Sequence, residues 1–236
     1  PIRGPIDAIT KASLEQRLTM ASEAGADAVV IELDTPGGEL LATLEMTNLL
    51  RTKAPTNTVA WVNPFAFSAG TIIALSAREI VTAPDAMLGD AAPITSLGPI
   101  PATERAKIES PLLAEVIDEA RRHHYDERLV QAFVSVGIEL WLLRDRGTGE
   151  VVFVDRNEYE AVYGMPPSES LTSITPPPSD QPFVVSPLLT MLAGMQPPTE
   201  DVPYDIAGEP LLPEVRETLT ADDAGRFDVL GQVVSN

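Results

Sequence analysis

Twice in the first third of the chain a short apolar, β-branched run passes through a turn of small residues into a helical run. The first is "DAVVIELDTPGGELLATLEMTNLLR", residues 27–51. Residues 29–33 read as a buried strand and Asp34 to Gly38 as the turn after it. Residues 39–51 read as an amphipathic helix, with Leu40, Leu44, Thr47 and Leu50 or nearby residues facing inward. The second is "NTVAWVNPFAFSAGTIIALSA", residues 57–77. Residues 57–63 read as a strand, and Pro64, Phe65 and Phe67 as a bulky loop. The uncharged run from Ala69 to Ala77 reads as a helix that can only be buried. Parallel strands need a crossover, usually a helix, to join them. The strand–helix–strand–helix order therefore predicts an α/β fold with a mostly parallel sheet. In such folds the chemistry lies at the carboxyl ends of the strands. The glycine turn and Ser68 both sit there.

The rest of the chain extends this plan. Residues 11–24 have helical spacing, with Leu14, Leu18 and Ala21 on one face and Gly25 as a stop. "EIVTAP" and the stretch near Met87 to Gly89 read as short extended pieces. Residues 103–122 read as a helix that Pro111 kinks or breaks early. "IELWLLRD" and "EVVFVDR" read as two strands joined by a hairpin-like turn at Arg146 to Gly149. Residues 164–213 hold twelve of the 22 prolines and read as a long surface excursion. That excursion carries an apolar stretch, "FVVSPLLTMLAGM", which needs cover. A helix is expected near Thr218 to Thr220, with Asp222 and Asp223 in its first turn, and "VLGQVV" reads as a last strand. The resulting division is a core over 1–163, an insertion over 164–213, and a completing helix and strand over 214–236.

Composition narrows the function. The formal net charge is −19, and the acidic residues are scattered rather than blocked. Such a surface repels nucleic acid and anionic lipid heads. There is no cysteine, which excludes thiol nucleophiles, thiolate metal sites and disulfides. No apolar run is long enough to suggest a membrane-spanning helix. The chain begins at Pro1 and shows no signal peptide, as expected of a domain processed or excised from something longer.

Ser68 raises the chemical question. A serine before a buried helix is an ordinary N-cap. Its surroundings add a second reading. Ala69, Gly70 and Thr71 are small, so another backbone or a ligand can approach the helix start. A helix N-terminus offers free N–H groups and positive partial charge to an oxyanion. Gly37 and Gly38 supply a second backbone that can come close. A nucleophile beside two backbone donors is an acyl-transfer constellation. The serine then needs a base. His123 and His124 lie in the charged stretch "RRHHYDER", where a solvated helix end is the ordinary reading. Lys11 and Lys53 lie in polar surface stretches. Lys107 opens a helix downstream of Ser68. A lysine base works as the neutral amine, a form that burial favours.

The ordered set "VVIELDTPGGELLATLEMTNLLR", "AFSAGTIIALSAREIVTAPDAMLGDAAPI", the Lys107 helix and "LTADDAGRFDVLGQVV" resembles the NfeD family of membrane-bound, Clp-protease-like serine peptidases. These include stomatin-specific proteases. The sequence is more distantly similar to signal peptide peptidase A and the Clp protease proteolytic subunit. The resemblance covers residues 2 to about 155 and 215–236. It implies a ClpP/crotonase-like fold of repeated β-β-α units with a parallel sheet, here with a Pro-rich insertion. It implies a Ser-Lys dyad with Ser68 as nucleophile and Lys107 as general base. The oxyanion hole would be the N–H groups of Gly37 and Ala69, with Gly38 supporting the turn. No cofactor or metal is implied. The implied substrates are hydrophobic peptides or membrane proteins, stomatin-like ones among them. A homodimer or higher homo-oligomer, no nucleic acid, and a location on the extracytoplasmic side of a membrane are also implied, with anchoring by segments absent from this chain. The sequence departs from the usual pattern at Phe67, where a small residue is common, and at Ser110, where an asparagine is common. The competing readings are a catalytically inactive ClpP-like scaffold that binds membrane proteins, and a crotonase-like acyl-CoA enzyme.

Overall fold

The computed structural model describes residues 1–84, 86–94, 101–149, 151–167, 183–185 and 225–234. The main sheet begins with β1 (Ile2–Arg3), which pairs in parallel with the end of β2 (Ala28–Thr35). Between them runs α1 (Ala8–Glu23). Its N-cap is Asp7, whose carboxylate accepts the Thr10 N–H at 2.8 Å. This cap places the helix start three residues ahead of the periodic pattern read from the sequence, because a cap acts through the backbone and not through hydrophobic spacing. Leu14 and Leu18 are buried as expected.

The strand β2 turns through Pro36 to Gly38 into α2 (Leu40–Lys53). This helix buries Ala42, Thr43, Met46, Thr47, Leu49 and Leu50. Thr47 and Leu50 face inward as expected and Leu44 is partly buried, but Leu40 and Leu41 are exposed, so the inward face is turned by about a quarter turn from the one expected. The chain then forms β3 (Asn57–Phe67), which pairs in parallel with β2 from Ala28↔Asn57 to Leu33↔Val62. The residues read as a bulky loop belong to this strand. Its first half pairs with β4 (Glu79–Thr82) and its last three residues with β5 (Met87–Gly89), both in parallel. Prolines are confined to strand edges or irregularities, and Pro64 stands where β3 changes partner.

Between β3 and β4 lies α3 (Ala69–Leu75), every residue of which is buried. Its small residues let it sit inside the core against β2, β3 and α2. The core gathers Leu33, Met46, Val62, Ile73 and Ile80 with Leu112, Val116 and Ala120 of α4 (Ala102–His123). The last three recur at i, i+4 and i+8, one face of a helix. The helix continues through Pro111, where a kink or early break was expected. Proline removes only one helical bond, here to the carbonyl four residues back, that of Lys107.

A second, three-stranded sheet follows α5 (Glu127–Val134). Its central strand is β6 (Glu139–Asp145), flanked by β7 (Val151–Val154) and β9 (Phe227–Val234), all antiparallel. The hairpin and the final strand match the sequence reading. Leu140 and Leu142 pack with Ala132 of α5, while Trp141 and Leu143 pack with Tyr159 and Val162 of α6 (Arg156–Tyr163). Strand residues alternate faces, so a strand buried on both sides reads as one continuous apolar run. Phe183–Val185 form β8, antiparallel to β4. Part of the expected excursion is thus a strand of the main sheet. Residues 168–182 and 186–213 of that excursion, and the helix expected near Thr218, lie outside the described residues.

Several carboxylates are held ionised by the fold. Arg226 first, then the N–H groups of Thr148 and Gly147, keep Asp145 below the usual carboxylate range. The Thr10 N–H does the same for Asp7, and Arg122 for Asp118. A depressed folded value contributes stability that is present above the unfolded value, about 4, and is lost as pH falls through the folded one. The melting midpoint is therefore expected to hold between neutral pH and about 5 and to drop below about 4. Asp145→Asn should lower the midpoint at neutral pH and shrink the further acid drop. A midpoint that rose on acidification would contradict this.

Candidate active site

The end of β3 delivers Ser68 to the start of α3. Its backbone has φ 51° and ψ −116°, a conformation that an L-residue adopts at a cost of about 1–3 kcal/mol. The Ser68 N–H donates to the Gly89 carbonyl at 2.9 Å. Its own carbonyl accepts from the N–H groups of Thr71 and Ile72. The hydroxyl makes no capping bond, although the residue stands at the N-cap position. Ser68 is half-buried. A simple N-cap would use extended backbone and give its oxygen to the helix; this serine does neither.

The glycine turn lies directly against it. A Cβ on Gly37 would fall 2.6 Å from the Ser68 Cβ and 3.2 Å from the Ala69 nitrogen. Gly37 also has φ 101°, so both space and backbone call for glycine there. Its N–H donates to the Thr35 hydroxyl at 3.1 Å, and its carbonyl accepts from the Ile6 N–H at 2.8 Å. Gly38 bridges Ile6 in parallel: Ile6 bonds the Gly37 carbonyl and the Glu39 N–H. In such a bridge the N–H of Gly38 itself points away from Ile6. A Cβ on Gly70 would meet the Thr35 methyl at 2.5 Å, so α3 starts against the end of β2. The structure thus brings Ser68, Ala69, Gly37 and Gly38 together.

Lys107 stands on the second turn of α4, exposed, and makes no hydrogen bond or ion pair among the described residues. The stretch that leads out of β5 is held at two points. The Ala91 N–H donates to Phe133 O at 2.7 Å, and the Arg105 guanidinium reaches Pro93 O at 3.4 Å. The histidines lie at the other end of α4, about 24 Å along the helix from Lys107. His123 is not fully solvated. Its ring is 3.4 Å from Glu119, a carboxylate buried in the core that also meets Arg51 and Arg122. His124 closes the helix in a left-handed conformation.

The rim is apolar. Phe65 and Phe67, two residues apart on one strand face, stack with centroids 5.2 Å apart. Leu41, Met87 and Ile94 are exposed. Ile72 belongs to the core. Among the described residues no cluster of His, Asp or Glu could hold a metal ion. Thr71, read from the sequence only as a small residue, is wholly buried, and its hydroxyl lies between β3 and β5. The "SAGT" motif carried it, but nothing in the sequence showed that β5 would lie within its reach.

A mostly parallel α/β sheet ends in a strained serine, set against a glycine turn at the start of a buried helix, and the fold is similar to that of a membrane-bound protease. Residues 1–164 match the model of the NfeD1b N-terminal domain, and the chain belongs to that family. It is 31% identical over 139 residues to the membrane protein NfeD1b of Bacillus subtilis, covering 59% of this chain and 31% of that protein. It is 36% identical over 97 residues to the membrane-bound protease PH1510 of Pyrococcus horikoshii, covering 39% of this chain and 22% of the protease. The matches thus span under a third of the length of these relatives. Among solved structures it is similar to 1510-N, a membrane-bound stomatin-specific protease, at 27% identity and a TM-score of 0.51, covering 57% of this chain and 67% of that one. Among the described residues no helix is long and apolar enough to cross a membrane.

Proposed function

We propose that this domain is a serine endopeptidase with a Ser68–Lys107 dyad that cleaves extended hydrophobic segments of membrane-associated proteins. The observation that carries the reading is the contact of the Gly37 turn with Ser68 and the Ala69 nitrogen. A hydroxyl there stands between the start of α3 and the glycine turn, where backbone donors on two sides would stabilise the oxyanion of acyl transfer. In the proposed reaction Lys107 accepts the Ser68 proton as the oxygen attacks the peptide carbonyl. The Ala69 N–H and the glycine turn hold the oxyanion, and Lys107 returns the proton to the leaving amine. Gly37 serves as donor by exchanging the Thr35 hydroxyl for the oxyanion, and Gly38 is the other N–H of the turn. Water then releases the acyl group.

Kinship supports the chemistry. Solved forms of 1510-N include a serine-to-alanine and a lysine-to-alanine variant, 41 positions apart in that protein, and the latter holds a substrate peptide. The separation here is 39. The Phe65–Phe67 stack on the strand that delivers Ser68 supports the substrate class, because each buried methylene contributes roughly 0.8 kcal/mol. The proposal places the domain on the extracytoplasmic side of a membrane, as a dimer or larger homo-oligomer, with stomatin-like proteins among its substrates. The second reading, an inactive scaffold that holds such segments, is favoured by the exposure of Lys107.

A peptide-library digest separates the two. The peptidase reading expects cleavage beside apolar residues by the wild type and none by Ser68→Ala. Binding of the same peptides without cleavage by either protein supports the scaffold. Cleavage dominated by sites beside Asp, Glu, Lys or Arg would refute the apolar preference.

A further inference from the structure

We propose that the buried hydroxyl of Thr71 is the positioning group that holds Ser68 in its attacking conformation. The proposal rests on the reading of Ser68 as a nucleophile. A left-handed serine persists only where its surroundings over-determine it. Three elements meet at Ser68: the end of β3, the start of α3, and β5. Thr71 binds all three. Its N–H donates to the Ser68 carbonyl at 2.9 Å. Its hydroxyl oxygen accepts the Gly89 N–H at 3.0 Å and lies 2.7 Å from the Gly89 carbonyl and 2.8 Å from the Ala66 carbonyl. One hydroxyl carries one proton, so it serves these carbonyls one at a time. The Gly89 carbonyl is also the acceptor of the Ser68 N–H. The Thr71 side chain therefore fixes the group that fixes Ser68.

Beyond the pairing of β5 with β3 and the Ala91–Phe133 bond that follows it, no other side-chain hydroxyl binds Gly89 among the described residues. The strand β5 has three residues, and among the described residues its only strand partner is β3. Thr71 is wholly buried, so without its hydroxyl the Gly89 N–H has no water at hand. A shift of β5 would then carry the Ser68 backbone with it. Displacement of a reacting group by about 1 Å costs on the order of 100-fold in rate.

The test compares Thr71→Val, which keeps the shape and loses the hydroxyl, with Thr71→Ser, which keeps the hydroxyl. Peptide hydrolysis and Ser68 amide hydrogen exchange are measured on folded protein of each. Thr71→Val is expected to lose about 100-fold in kcat with KM unchanged and to lose protection of the Ser68 amide. Thr71→Ser should restore both. A merely structural threonine would lower the melting midpoint and leave kcat of the folded enzyme alone. That result, or a serine variant no better than the valine one, overturns the proposal. If Thr71→Val does not fold, Thr71→Cys, similar in size with a weaker donor, is expected to show an intermediate loss, and a full rate overturns the proposal. If the wild type cleaves nothing, the peptidase reading fails by itself. The exchange measurement then still decides: a Ser68 amide equally protected in the wild type and Thr71→Val overturns the positioning role.

Discussion

Gly38→Ala is expected to unseat the turn that faces Ser68 and to lower stability by about 3 kcal/mol. The added Cβ would lie 2.0 Å from the Ile6 oxygen, 2.5 Å from its nitrogen and 2.7 Å from its carbonyl carbon. These are backbone atoms of the segment that holds the turn, and no rotamer change moves them aside. Relief requires the Ile6–Gly38 bridge to open, which frees the Gly37 carbonyl and the Glu39 N–H as well. Gly25→Ala is the control. Gly25 has φ 66°, but a Cβ there would have no neighbour within 4 Å, so its cost is the left-handed backbone alone, about 1–2 kcal/mol. Urea unfolding measures both, with the midpoint shifting and the slope unchanged. A Gly38→Ala protein as stable as the wild type would mean that the turn does not pack on Ile6.

The second large effect concerns Lys107. Lys107→Ala is expected to reduce peptide turnover by on the order of 1,000-fold or more, since paired groups that act as a unit fail together. The fold should be untouched, because the side chain is exposed and makes no bond among the described residues. Lys107→Arg should be no better, as a guanidinium stays charged and accepts no proton. Initial rates on an apolar peptide, with circular dichroism as the control for folding, decide the matter. Turnover within a small factor of the wild type in Lys107→Ala would remove the lysine from the mechanism.

The sequence made the fold legible wherever one residue's neighbours are close along the chain. Two strand–turn–helix units, the stop at Gly25 and the 139–154 hairpin all follow from local spacing and turn chemistry. The extent of β3 did not. "NPFAF" reads as a loop because Pro64 interrupts it, and only the pairing of Phe65 to Phe67 with Met87 to Gly89 makes it a strand. The whole of α3 and β4 lies between those two segments in the chain. The short helices α5 and α6 went unread. In α6 the signal was a capping box, Asp155 with Glu158, and not a hydrophobic period.

The site divides in the same way. Ser68, Ala69, Gly37 and Gly38 were visible as small residues at strand ends, and the fold sets Gly37 against Ser68 and Ala69 and Gly38 against Ile6. The roles of the Thr35 and Thr71 hydroxyls were not visible, because a threonine's role depends on which carbonyls lie within its reach. Thr35 illustrates this: one hydroxyl donates to Gly4 O at 2.7 Å and accepts the Gly37 N–H at 3.1 Å, while its methyl touches Gly70. Its partners lie 31 and 2 residues away. No spacing rule joins those positions.

The central claim is that Ser68 is a nucleophile activated by its surroundings. The most direct measurement is reaction of the folded domain with a fluorophosphonate, followed by mass-spectrometric mapping of the modified residue. The account predicts one adduct, on Ser68, which disappears in Ser68→Ala. An adduct on any other residue, or none on protein shown to be folded, would contradict it.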